Sequence, residues 1–180
     1  MIHHTSFAVR DTSRVASVLA ELIGGTPVRA PTPPFPHGAW LVVAGDAHGT
    51  FLEIVPEGSV FEADSPLGVR QTPLKLAASS AHVLVSSPLD GQTIQDVAAR
   101  EGWKAQEVET GLFKIVKVWV EDVVLVELLA AGEAERYVEA FGARGLATLD
   151  GRLRELETTL DTALRSRLPA AVLEEALGRP

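Results

Sequence analysis

Residues 4–25 read HTSFAVRDTSRVASVLAELIGG, and this stretch decides the fold. Its first residues alternate between polar and apolar side chains, which is typical of a strand with one buried face. The apolar residues then fall three and four apart, as on one side of a helix: Val15, Val18, Leu19, Leu22 and Ile23. Asp11, Thr12 or Ser13 can cap this helix, and the paired glycines after it can end it. The stretch therefore predicts a strand followed by a helix.

Three strands are predicted after this helix, from TPVRA, AWLVVAGD and TFLEIVPEG. The prolines of PTPPFPHG, between the first two, forbid regular structure and predict a stiff surface loop. After a stretch of little periodicity the same order returns. AHVLVSS predicts a strand, DGQTIQDVAAREG a helix and AQEVE a short strand, and LFKIVKVWV with VVLVELLAA predicts a hairpin around Glu121 and Asp122.

The spacing of histidine and glycine residues indicates that the two halves repeat the same order of elements, although their sequences differ. Gly24 follows His4 by 20 residues, and Gly102 follows His82 by the same 20. Each half begins with a histidine on a strand and ends with a glutamate on a strand. The sequence therefore predicts a first βαβββ module over 1–58, a linker over 59–79, a second βαβββ module over 80–131 and a helical C-terminal extension over 132–180.

The extension carries its own apolar stripe. Its members step by three or four residues along one predicted helix: Leu149, Leu153, Leu156, Leu160 and Leu164. Such a stripe must be buried, either on the sheet or against a second subunit, and both alternatives stay open.

Composition narrows the class of protein. The 180 residues include 16 basic and 24 acidic side chains, a net charge of −8, which disfavours nucleic acid as a partner. No run of about 18 apolar residues predicts a membrane span, and no secretory signal is recognisable, so we expect no membrane partner and a cytoplasmic location. The chain has no cysteine, so any metal must be held by histidines and carboxylates.

Alternation along the strands predicts where four polar residues point. His4 and Glu53 in the first module, and His82 and Glu127 in the second, are all expected on the face turned away from the module's helix. Each glutamate is the only charge in an otherwise apolar strand, so it must be solvated, paired or bound to a metal. A one-residue shift would exchange His4 for His3, but alternation directs His3 toward the helix.

Other polar residues have simpler expectations. His37 and His48 are predicted to be exposed loop residues, although His37 could line a cavity entrance. Arg29 and Arg70 could bind a substrate carboxylate or phosphate, but a surface role is the default expectation.

With two strand-helix-strand-strand-strand modules, the first of which is opened by HTSFAVRDTSRV and closed by FLEIVPEG, residues 2–130 resemble the vicinal oxygen chelate superfamily. This superfamily includes glyoxalases, bleomycin-resistance proteins and extradiol dioxygenases. The resemblance implies an α+β fold in which two βαβββ modules form a curved mixed sheet around a central cavity. It also implies a divalent metal ion (Zn, Ni, Co, Mn or Fe) held by His4, Glu53, His82 and Glu127, a set similar to that of glyoxalase I and methylmalonyl-CoA epimerase.

The resemblance further implies an activity. A metal ion with open coordination positions stabilises an enediolate or enolate of a small oxygenated substrate, and Glu53 or Glu127 would be the catalytic base. We therefore expect lyase, isomerase or epimerase chemistry, a small-molecule substrate and a homodimer. The alternative is a metal-free drug-binding protein of the bleomycin-resistance type. An extradiol dioxygenase ranks lower, because the sole tyrosine, Tyr137, lies outside the modules.

Overall fold

The structure is a computed structural model that describes residues 2–32, 34–61, 69–73, 75 and 82–177. The chain divides into two compact units, one of Met1–Thr110 with Lys114–Ala134 and the other of Gly111–Phe113 with Glu135–Pro180. Within the described ranges, no helix has both the length and the apolar character needed to cross a bilayer.

The first module has the predicted order of elements. Strand β1 (His4–Val9) leads into helix α1 (Thr12–Ile23), and strands β2 (Thr26–Arg29), β3 (Trp40–Val43) and β4 (Phe51–Pro56) follow. The sheet order is β1-β4-β3-β2. Strand β1 is parallel to β4, and the other neighbours are antiparallel.

The segment predicted as a linker holds a small sheet. Strands β5 (Ser59–Phe61) and β6 (Val69–Gln71) pair in antiparallel fashion. Strands of three residues are too short to show a recognisable alternation, so the sequence does not predict them. Much of the rest of 59–79 lies outside the described residues.

The second module repeats the first. Strand β7 (His82–Ser86), helix α2 (Gly91–Arg100) and strands β8 (Lys104–Glu109), β9 (Lys114–Val120) and β10 (Val124–Leu129) give the sheet order β7-β10-β9-β8. Strands β7 and β10 are parallel, as β1 and β4 are. The predicted α+β class, with two mixed four-stranded sheets, is thereby confirmed.

Three helices follow the second sheet: α3 (Glu133–Phe141), α4 (Leu146–Arg165) and α5 (Ala170–Leu177). In the second unit, the ring of Phe113 meets Tyr137 edge-on with 5.2 Å between centroids, and Tyr137 stacks on Phe141 at 5.0 Å. On α4, Leu160 and Leu164 of the predicted stripe are exposed.

Helix α1 begins and ends as its sequence predicts. The Asp11 carboxylate accepts the backbone N–H of Arg14 (3.0 Å), and Gly24 ends the helix with φ of +69°. That left-handed conformation suits glycine because it has no Cβ. The apolar side of α1 is buried together with that of α2 and with one face of each four-stranded sheet, in a single core.

Polar contacts also join the two modules across α1 and α2. The Arg14 guanidinium donates to Glu101 (2.7 Å), and Arg100 donates to Glu21 (2.6 Å). The Ser87 hydroxyl, just after β7, donates to the backbone carbonyl of Leu22. The shared core covers one face of each four-stranded sheet. A functional site would therefore lie on the opposite face.

Candidate functional site

His4 and Glu53 lie on neighbouring strands of the first sheet. In the parallel pair of β1 and β4, Ser6 is opposite Glu53 and His4 is opposite Phe51. The His4 ring stacks on the Phe51 ring, with 4.6 Å between centroids and 2° between planes. The residues of this sheet that face the core, such as Leu52 and Ile54, alternate with these positions. The face that carries His4 and Glu53 is therefore the one turned away from the core.

Glu53 is nearly inaccessible to solvent, with 6% of its surface exposed. Burial raises the pKa of its carboxyl, and the charge of His4 opposes that rise. The Ser6 Oγ is itself buried and forms no hydrogen bond of standard geometry within the described residues. A buried carboxylate next to an unsatisfied hydroxyl is costly unless another group binds there.

His82 and Glu127 occupy the matching places in the second sheet. In the parallel pair of β7 and β10, Leu84 is opposite Glu127 and His82 is opposite Leu125. Glu127 differs from Glu53 in its surroundings, because its Oε1 lies 3.8 Å from the Nζ of Lys117, with 16% of the Glu127 side chain exposed. Lys117 and Glu127 are directly paired across β9 and β10.

The two sheets thus repeat one arrangement in space. In each, the histidine stands two residues before the residue paired with the glutamate, on the parallel edge strand. Both pairs are on the face opposite the shared core. His4 and His82 therefore occupy equivalent positions in the registers of their two sheets, and so do Glu53 and Glu127.

The four residues are not gathered at one point. Across residues 2–32, 34–61, 69–73, 75 and 82–177, no three His, Asp or Glu side chains form a group that could hold a metal ion. His4 and His82 do line one open cavity of about 350 Å³, together with Thr5 and Leu84 among others. Neither glutamate is among the lining residues of that cavity.

The remaining histidines are placed elsewhere. The Nδ1 of His3 lies 2.9 Å from the backbone carbonyl oxygen of His48, in the turn between β3 and β4. His3 therefore joins the start of the chain to that turn, and His37 and His48 are exposed in loops.

The proline-rich loop packs on the Glu53 face of the first sheet. A second apolar cluster on this face contains Ala30, Ala39 and Val55, and Phe35 of the loop packs against it. Sequence reasoning predicted only a surface loop. Phe35 therefore covers the part of this face that carries Val55.

Lys117 is the polar residue that sequence reasoning missed. In β9 it alternates with three buried valines: Val116, Val118 and Val120. That alternation directs Lys117 to the same face as Glu127, so the signal was present in the strand pattern.

The fold of this chain is similar to the folds of several solved structures. A variant of the fosfomycin resistance protein FosX from Listeria monocytogenes, complexed with Mn(II) and 1S,2S-dihydroxypropylphosphonic acid, has a TM-score of 0.51 and 13% identity over 78% of this chain and 97% of that chain. FosX from the same organism with Mn(II) and a sulfate ion has a TM-score of 0.50 and 13% identity over 78% and 96%.

A member of the glyoxalase, bleomycin resistance protein and dioxygenase superfamily from Sphaerobacter thermophilus has a TM-score of 0.46 and 11% identity, covering 72% of this chain and 96% of that chain. No protein-family model and no curated protein sequence matches this chain. The two FosX structures confirm the predicted resemblance at the level of the fold.

Proposed function

We propose that this chain, which has the fold of the vicinal oxygen chelate superfamily, is a divalent-metal-dependent enzyme acting on a small oxygenated substrate. The proposed metal ligands are His4, Glu53, His82 and Glu127. The expected reaction is a lyase, isomerase or epimerase reaction that begins with removal of a proton next to a carbonyl group.

One observation carries this proposal. The two sheets hold a histidine and a glutamate in the same register, on the face opposite the core. A structural role does not require that both modules keep the same two polar residue types at matched positions of otherwise apolar strands. A ligand set drawn equally from both modules accounts for it.

The residues also fit a divalent ion by their chemistry. Two imidazoles and two carboxylates suit Zn, Ni, Co, Mn or Fe(II). Glu53 is buried, and among the described residues no lysine or arginine lowers its pKa. The buried Ser6 Oγ beside it also lacks a hydrogen-bond partner there. A bound cation would offset the cost of burying this carboxylate.

The structural neighbours support the metal and the type of substrate. The FosX complexes contain Mn(II), and one of them contains a small dihydroxy phosphonate. A compound of that size, with adjacent oxygen atoms, is the kind of molecule that we propose as the substrate class here.

Different residues of the chain would have different roles in the proposed reaction. When bound, the metal would supply positive charge that stabilises the substrate as it loses a proton. Either Glu53 or Glu127 would accept that proton and return it to a neighbouring carbon or oxygen. The loop with Phe35 covers part of the Glu53 face, which would exclude water from the base.

We also propose that the protein is a homodimer. Within the described part of one chain, no three of these groups lie together. A second copy that sets its first module against the second module of its partner would join His4 and Glu53 of one chain to the other pair. The two chains would then form two equivalent sites.

A metal-free small-molecule binding protein is the second candidate, and the Lys117–Glu127 ion pair favours it. An ammonium group 3.8 Å from a proposed ligand neutralises that carboxylate without any metal. In this case the paired faces would bind a ligand but perform no chemistry.

Metal analysis together with hydrogen exchange separates the two candidates. Protein purified without added ions is dialysed against Mn²⁺, Ni²⁺, Co²⁺ or Zn²⁺, and its metal content is measured. Small α-hydroxy ketones are then incubated with it in D₂O, and loss of the α-proton signal is followed by NMR. The enzyme proposal expects a stoichiometric metal and metal-dependent exchange that is absent in a His4→Ala, Glu127→Ala variant. Protein that binds none of the four ions contradicts it.

A further inference from the structure

Lys117 is a cation at the centre of the face that carries His82 and Glu127. Its neighbours across the sheet are Gln106 on β8 and Glu127 on β10. About a third of its side chain is exposed, so the ammonium group is neither buried nor fully in solvent.

The first module has no counterpart to this cation. The residue paired with Glu53 across β3 and β4 is Leu41, at the position that Lys117 holds beside Glu127. The two half-sites are therefore alike in their histidines and glutamates but differ in charge. This difference gives one side of an assembled site a positive group.

We propose that Lys117 binds an anionic oxygen of the substrate, from a carboxylate or a phosphoryl group, when Glu127 binds the metal. The inference rests on the proposed function. The Lys117 ammonium pairs with Glu127, with 3.8 Å between Nζ and Oε1. If Glu127 held a divalent ion, the ion would offset the negative charge beside Lys117, and the ammonium group would be available to a substrate anion next to it.

If Lys117 has this role, its removal should change the binding of the metal ion and the binding of the substrate anion in opposite directions. Lys117 repels a divalent cation and competes with it for Glu127, so its loss strengthens metal binding. Lys117 attracts an anion beside the metal, so its loss weakens anion binding. A residue with a purely structural role would not strengthen one and weaken the other.

The test uses Lys117→Met, which removes the charge and keeps much of the aliphatic stem. The matched control is Lys104→Met, because Lys104 lies on the same face of the sheet at the edge strand β8 and pairs with Asp122 at 3.7 Å. Both variants change the net charge by one. Thermal unfolding of each variant establishes that it is folded.

Two titrations are then made on each protein. Electron paramagnetic resonance follows the binding of Mn²⁺, and calorimetry on the Mn²⁺-loaded protein follows glycolate, inorganic phosphate and the uncharged glycolamide. We expect Lys117→Met to bind Mn²⁺ about three- to tenfold more tightly than wild type. We expect it to bind glycolate or phosphate roughly tenfold more weakly, with glycolamide unchanged. A larger loss for phosphate than for glycolate identifies a phosphoryl group as the partner of Lys117.

The outcomes separate this inference from the proposal on which it rests. If wild type binds Mn²⁺ but Lys117→Met and Lys104→Met behave alike toward all ligands, the role of Lys117 is wrong and the metal centre stands. Equal losses for glycolamide and glycolate would also overturn the role, because they would show that charge is not recognised. If wild type binds no Mn²⁺, Ni²⁺, Co²⁺ or Zn²⁺, the proposed function and this inference both fail.

Discussion

The carboxylate of Glu121 accepts the backbone N–H of Asp11 at the residue that caps α1, with 2.9 Å between the nitrogen and Oε1. Its other oxygen accepts the backbone N–H of Arg10 at 2.6 Å. Glu121 belongs to the β9–β10 turn and adopts a left-handed conformation with φ of +52°. One side chain of the second module thus binds the start of the helix of the first.

We expect Glu121→Gln to destabilise the protein by about 1–2 kcal/mol, because an amide can accept only one of these two hydrogen bonds and carries no charge. Urea unfolding followed by circular dichroism measures the loss. Asp122→Asn, in the same turn, is the control and should cost less than about 0.5 kcal/mol, since it removes only an exposed ion pair with Lys104. Equal losses in both variants would contradict a specific role for Glu121.

The lowered pKa of Glu101 predicts that the stability of the protein depends on pH. Hydrogen bonds from Arg14 and then from Arg100 lower the pKa of Glu101 below the ordinary value of 4.5. A carboxyl with a lowered folded pKa stabilises the fold above the unfolded pKa and loses that contribution as the pH falls through the folded value. Glu101→Gln should therefore lower the free energy of unfolding at pH 7, and its difference from wild type should shrink below pH 4.5. A difference that stays constant down to pH 3 would be inconsistent with this account.

The raised pKa of Glu53 predicts the opposite dependence of stability on pH. Burial raises its pKa above 4.5, so the ionised form costs stability in the metal-free protein above that pH, and the cost disappears as the pH falls. Glu53→Gln should therefore raise the free energy of unfolding of the metal-free protein at pH 7, and its difference from wild type should shrink as the pH falls. It should also lose most of the rise in melting temperature that a saturating divalent ion gives wild type. Destabilisation of the metal-free protein by this substitution would show that Glu53 has a structural partner.

A mixing experiment tests whether two chains share each site. His4→Ala removes a ligand from the first module, and His82→Ala removes one from the second. If sites form between chains, a mixed dimer has one site with both histidines and one with neither. Unfolding and refolding an equal mixture should then restore tight metal binding to about a quarter of all sites, because half of the dimers are mixed. Sites formed within single chains would give no restoration.

The strands and the faces of the candidate site could be predicted from the sequence. Alternation alone directs His4 and Glu53 away from the core, since Leu52 and Ile54 occupy the positions between them. The same reasoning, applied to β9, would have placed Lys117 beside Glu127. Alternation gives only the face of Lys117, however. Its pairing with Glu127 depends on the register set by a turn of three residues, in which Glu121 and Asp122 have positive φ, and positive φ is uncommon for a glutamate.

Other features have no periodic signal. Phe35 lies in an irregular loop, so nothing in the spacing of PTPPFPHG indicates that its ring packs against the face of the first sheet. The relative placement of His4 and His82 depends on how α1 and α2 pack, through contacts such as Arg14 with Glu101. Such contacts join residues far apart in the chain, and strand patterns do not encode them.

The most direct test of the metal centre is a Mn²⁺ titration of wild type and of four single variants, His4→Ala, Glu53→Gln, His82→Ala and Glu127→Gln. His3→Ala is the matched control, because His3 neighbours His4 but binds the His48 carbonyl. We predict one bound ion per chain in wild type and in the control, and affinity weaker by about tenfold or more in each of the four variants. Wild-type protein that binds no divalent ion, or variants that all bind as wild type does, would contradict the account.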